Sequence, residues 1–186
     1  MKPEQITGAL LFSGALQFIL CMLIAESIYP NYSISNNFIS ELGVGMTSSL
    51  FNVSIILLGA CLIVLAYFIG KIRNWTLAAL VLLTGIGAIG VGIFPMVLPG
   101  PYHMLFSSMA FLFGGLAAMA SYRKGETAIG IFSIAMGMVS LASLALFASG
   151  NYLPLGMGLT ERLVAWPVLL WSTIFGFNMM RNSKGQ

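Results

Sequence analysis

The chain has 186 residues, of which 59% are hydrophobic and only 7% charged, with a mean hydropathy of +0.97; a soluble domain is about one quarter charged, so a membrane protein is indicated. Eight Lys and Arg stand against five acidic residues, all Glu, for a net charge of +3, which leaves no basic patch dense enough for nucleic acid. Cys21 and Cys61 lie in separate apolar runs without CxxC spacing, and read as packed or lipid-facing thiols rather than a redox pair.

An α-helix rises about 1.5 Å per residue, so crossing about 30 Å of hydrocarbon takes roughly 20 mostly apolar residues. Six segments meet that requirement: 6–28, 49–69, 75–98, 101–121, 127–149 and 163–180. Helices are expected because lipid cannot solvate free backbone groups, and the alternating pattern of barrel strands is missing. Lys2 and the apolar run from Ile6 have the look of a signal peptide, but the spans that follow would hold the chain in the bilayer, so this run is taken as the first span. The expected fold is all-α: a polytopic transmembrane bundle of six helices in one integral membrane domain, 1–186, with a short amphipathic helix in the first extracytoplasmic loop.

In chain order, the first span closes near Glu26 and leads into the longest loop, which carries "SISNNFISELGVG", residues 33–45. Ser33 or Ser35 can cap a short helix there, and Gly43 can end it in a left-handed conformation. Phe38, Ile39 and Leu42 make an apolar stripe, while Asn37, Ser40 and Glu41 share the other face. That polar face is expected to turn inward, because the other polar residues of the outer half gather at the same level.

"GIGAIG", residues 85–90, fits the GxGxxG pattern. No strand precedes it and no acidic residue follows at the required distance, so it reads as close helix packing through small residues. Pro95 and Pro167 interrupt the third and sixth spans as in the broken helices of transporters, though at unequal positions. Pro101 suits the first position of the fourth helix and puts His103 in its first turn, where the helix dipole disfavours imidazolium. A neutral His103 could accept a proton or bind a metal, with Ser107 one turn deeper; equally, it could be a hydrogen-bonded histidine at the headgroup boundary.

Glu161 and Arg162 precede the sixth span. Arg162 is the lone cation of the outer half, facing Glu26, Glu41 and Glu161, and a charge at the centre of a membrane helix costs about 2.5–3.5 kcal/mol. It therefore needs a partner. Glu41 is the expected one, since Glu161 is its neighbour in sequence and adjacent helical residues diverge.

Lys2, Lys71, Arg73, Arg123, Lys124, Arg181 and Lys184 all fall on one side of the six-span arrangement and Arg162 on the other. The positive-inside rule then puts the protein in the cell membrane, multi-pass, with both termini cytoplasmic. Tyr29, Tyr32, Tyr102 and Tyr152 mark the outer boundary, and Trp75 and Tyr122 the inner one.

The order of these signals, with "ISELG" in the first outer loop, "GIFP" closing the third span, His103 opening the fourth and "ER" before the sixth, resembles DUF998, a family of uncharacterised six-helix membrane proteins, over nearly the whole chain. The resemblance implies weight on Ser40, Leu42, Gly43, Pro95, His103, Glu161 and Arg162, and names no reaction. An acidic residue expected soon after the proline is replaced by Met96 and Val97. The chain also resembles the ceramidase-like hydrolases in being compact and helical, but their zinc set needs several histidines and an aspartate; one His and no Asp cannot supply it, and no HExxH occurs. No cofactor or metal is expected.

Three functions remain open. The first is binding or transport of a lipid headgroup, small amphiphile or ion in an outer polar pocket made by Asn37, Ser40, Glu41, His103, Glu161 and Arg162. The second is an outer-leaflet lipid hydrolase or transferase, with His103 as base, Ser40 or Ser107 as nucleophile and Glu41 orienting the ring. The third is a structural or accessory membrane subunit. Membrane lipid is the expected partner and nucleic acid is not; protein partners are undefined.

Overall fold

Six apolar stretches become six helices in the computed structural model, which describes residues 3–124 and 127–182. They are α1 (Pro3–Ile28), α2 (Ser48–Lys71), α3 (Trp75–Ile93), α4 (Tyr102–Ala120), α5 (Thr127–Ala148) and α6 (Met157–Asn182). Each is long and apolar enough to cross a membrane, and no strand occurs among the described residues. The protein is thus a multi-span membrane protein. Six crossings put both ends of the chain at one end of the bundle and the long α1–α2 loop at the other. Lys2 and Lys184 of the basic set lie outside the described residues.

Each helix packs on its neighbours in sequence, and α1 closes on α6, so the bundle is a ring. Lipid provides no hydrophobic drive between helices, and close backbone approach through small residues does the holding instead. Three crossings put glycine on glycine. A Cβ added to Gly59 would lie 2.6 Å from the Gly85 carbonyl oxygen (α2 on α3), one on Gly8 would lie 2.7 Å from that of Gly176 (α1 on α6), and one on Gly137 would lie 2.6 Å from that of Gly115 (α4 on α5). Within "GIGAIG", Gly85 faces α2 while a Cβ on Gly87 would meet the Ala110 amide of α4 at 2.5 Å. The expected reading of that motif as packing holds.

Two boundaries differ from the sequence expectation. Helix α3 ends at Ile93, so Pro95 lies in the connection to α4 and interrupts no helix; Phe94, at φ −115° and ψ 74°, has left the helical region that a following proline disfavours. Helix α6 starts at Met157 rather than Leu163, which places Glu161 and Arg162 inside it and makes Pro167 an interior residue. Hydropathy alone stops at a charged pair; the helix continues through it because both charges find partners.

The loop helix is shorter than expected. The Ser33 carbonyl accepts from the Asn36 and Asn37 amides at 3.1 and 2.8 Å, closing a turn, and two short 3₁₀ segments, Ile39–Gly43 and Gly45–Thr47, follow. Ile39 and Leu42 are buried as the stripe predicts. Gly43 is not left-handed; Gly45 is, at φ +73°, and Gly43 is small because a Cβ would lie 2.6 Å from Asn52 Oδ1.

Gly85→Ala should lower stability by about 1–3 kcal/mol, the usual cost of overpacking, because its new methyl meets backbone that cannot step aside. Reversible unfolding in mixed micelles measures this, and an unchanged midpoint would contradict the tight α2–α3 crossing.

Candidate functional site

Arg162 lies in the second turn of α6 and is 6% exposed, with its neighbour Glu161 at 5%. Its Nη2 donates to Glu26 Oε1 at 2.5 Å and to the Tyr32 hydroxyl at 2.8 Å. Its Nη1 donates to the carbonyl oxygens of Ile34 (3.0 Å), Asn37 (3.3 Å) and Gly158 (3.0 Å). The partner is therefore Glu26 and not Glu41. The reason is topological: α1 packs against α6, which brings the end of α1 up beside the guanidinium. Glu41 is held by its own loop, accepting from the Phe38 amide at 2.9 Å and from Asn37 Nδ2 at 2.6 Å.

Glu161 does the complementary job. Its carboxylate accepts from the Ile39 amide at the start of the 3₁₀ segment and faces that of Ser40. Helical neighbours point about 100° apart, so Arg162 reaches the carbonyls of residues 34 and 37 while Glu161 reaches the amides of 39 and 40. Orphan donors at a helix start favour a carboxylate, and here a second helix delivers it. Tyr32 links the two halves: its hydroxyl accepts from Arg162 and donates to the Phe38 carbonyl at 3.0 Å. Burial pushes that hydroxyl up to about 12 against the lowering pull of Arg162, so it stays protonated and able to donate.

The loop lies directly on the first turn of α6. The Gly158 amide donates to the Ser35 carbonyl at 2.9 Å. A Cβ on Gly156, which has φ +88°, would lie 2.5 Å from the Ser35 oxygen, and one on Gly158 would overlap the Asn37 and Ile34 carbonyls. Three positions of the clamp escape the sequence reading: Glu26 as the ion-pair partner, and Gly156 and Gly158 as the surface on which the loop rests. The two glycines did leave a signal, "GMG" shortly before "ER"; Glu26 left none that separates it from Glu41.

His103 is in the first turn of α4, as expected. Its Nδ1 lies 2.9 Å from the Phe94 carbonyl oxygen; a carbonyl only accepts, so Nδ1 is the donor and Nε2 is the ring nitrogen left without this bond. The Ser107 hydroxyl donates to the Met104 carbonyl at 3.1 Å, and that of Ser40 approaches Met96 Sδ at 3.7 Å. Neither serine is hydrogen-bonded to His103, so a nucleophile and base are not assembled. The site thus divides: Asn37, Glu41, Glu161 and Arg162 join in one clamp on the loop, while Ser40 and His103 flank residues 94–96. Among the described residues no three His, Cys, Asp or Glu are grouped to hold a metal ion.

Between the helices is a cavity of about 90 Å³, with side chains from α1, α2, α3, α4 and α6 on its walls, among them Phe18, Leu58, Val81, Ala110, Val168 and Trp171. Its lining is almost wholly apolar.

Residues 12–178 match the family described as protein of unknown function (DUF998). The chain belongs to this family. No curated protein and no solved structure matches it. In this DUF998 chain the "ER" pair and the "ISELG" segment are two halves of one contact, since Glu161 binds the amide of the first residue of that segment.

Glu26→Ala should cost about 3–5 kcal/mol, as expected when a buried charge loses its partner, and Glu41→Ala about 1 kcal/mol, the value of a lost cap. Paired unfolding measurements check the ranking; a larger loss for Glu41→Ala would return the ion pair to that residue.

Proposed function

We propose that this DUF998 chain is a binding or transport protein for a small amphiphile whose apolar part is taken up between the helices. The observation that carries this reading is the cavity walled by five helices. A purely structural subunit has no need of such a space, whereas the clamp on the loop is accounted for without any ligand. The charged groups at the loop end are engaged with one another and with backbone, so an ion or a charged headgroup would have to break those bonds to use them. The Ser40 hydroxyl, bonded only to a weak sulfur acceptor, and His103 Nε2 keep capacity for a polar head.

The hydrolase or transferase reading is less well supported, because the base it requires bonds to a carbonyl and its serines turn to other partners. Orientation follows from charge. Lys71, Arg73 and Arg181 share the end of the bundle that holds the termini, and Arg162 at the other end is neutralised by Glu26. We place the termini in the cytoplasm and the clamped loop outside, in the cell membrane.

Native mass spectrometry of protein extracted with its surrounding lipid should show a co-purifying amphiphile that is lost in the cavity-filling variant Ala165→Leu. Bare protein in both samples, together with no flux in vesicles, would overturn the reading. A fluorescent protein fused after Gln186 should light up and a phosphatase in the same place should stay inactive; the opposite pair of results would invert the orientation.

A further inference from the structure

Ser172 lies in α6 beside Trp171, is 5% exposed and lines the cavity. A serine or threonine inside a helix usually turns its hydroxyl to a carbonyl one turn back. Thr84, on the facing wall, does so to Leu80 at 2.8 Å, and Thr173 does so to Leu169 at 3.2 Å. The Ser172 hydroxyl makes no hydrogen bond to any described residue. It is not sealed in either: Asn52 Oδ1 is the buried side-chain atom left without a partner among the described residues, whereas Ser172 opens on the cavity.

The neighbouring polar groups are bonded to other partners. The Trp171 indole N–H is given to Ser133 Oγ at 3.1 Å, and the Thr84 hydroxyl proton is engaged within its own helix. Val168, one turn before Ser172, and the Thr84 methyl both close on Gly114: a Cβ there would meet them at 3.2 and 3.4 Å. The wall is thus tight below a single free donor. An unmatched hydroxyl in an apolar interior is unfavourable, and this lining offers a water only the Ser172 and Thr84 hydroxyls, the least of the two to four polar partners a buried water takes.

We propose that the cavity binds a mainly apolar molecule carrying one hydrogen-bonding oxygen, an alcohol or a ketone, whose oxygen accepts from the Ser172 hydroxyl. Its volume of about 90 Å³ is below the roughly 150 Å³ of a cavity that admits benzene, so it takes a short or branched chain end rather than a six-membered ring or a whole lipid. This inference rests on the reading that the interior binds a ligand, and adds the ligand's chemical class.

The test uses the full chain in lipid nanodiscs and two small photoreactive probes, a diazirine-bearing butanol and its butane counterpart. Labelled residues are mapped by mass spectrometry. The butanol probe should label cavity residues several-fold more than the hydrocarbon. Ser172→Ala should erase that difference without lowering the melting temperature, Ser172→Cys should leave part of it, and Ala165→Leu should abolish labelling by both probes. Equal labelling by the two probes, unaffected by Ser172→Ala, would overturn the chemical class while leaving interior binding intact. Labelling of cavity residues by neither probe would overturn both.

Discussion

Two consecutive residues of one helix hold an entire loop by its backbone, and the loop end of the bundle depends on that grip. Arg162 gathers carbonyl oxygens and Glu161 gathers amides, so opposite charges side by side in sequence are matched to opposite ends of peptide dipoles. Removing a charge from water is expensive unless it is paired and hydrogen-bonded. Glu26 supplies the countercharge, and the loop supplies the remaining bonds. The same contacts fix where α6 starts: its first turn is shaped by what lies upon it, down to the missing side chains at Gly156 and Gly158.

Much of the fold was legible in the amino-acid sequence because apolar length is a local property. All six spans and the small-residue role of Gly85 follow from composition over a window. The need for a partner at Arg162 was also legible, from the cost of a lone charge. The identity of that partner was not, since Glu26 and Glu41 are equal as residue types and only the packing of α1 on α6 separates them. The placement of His103 in a first turn followed from Pro101, but its bond to the Phe94 carbonyl depends on how the chain turns at Pro95. The cavity left no trace in the sequence: its walls are mostly ordinary Leu, Val, Ala and Phe, and Thr84 and Ser172 look no different there from other hydroxyls in the spans.

Helix α5 shows a second way of holding helices in lipid. Its buried residues are small, Gly130, Ser133, Gly137, Ser140 and Ser143, at the three- and four-residue spacing of one face. Ser140 donates to the Val164 carbonyl of α6 at 2.7 Å, and Trp171 of α6 donates to Ser133. Such bonds average only about 0.6 kcal/mol in a membrane, but they fix rotation about the helix axis. They also turn the Trp171 indole N–H away from the cavity, which leaves that space with Ser172 as its donor.

Because the grip on the loop reads peptide groups, which every residue type carries alike, side chains at Ile34 and Ser35 can drift over generations without loosening it. The hand is more constrained than the thing held. A single methyl at position 156 or 158 would push the two surfaces apart, so substitutions tolerated on the loop's outer side would be purged from the start of α6.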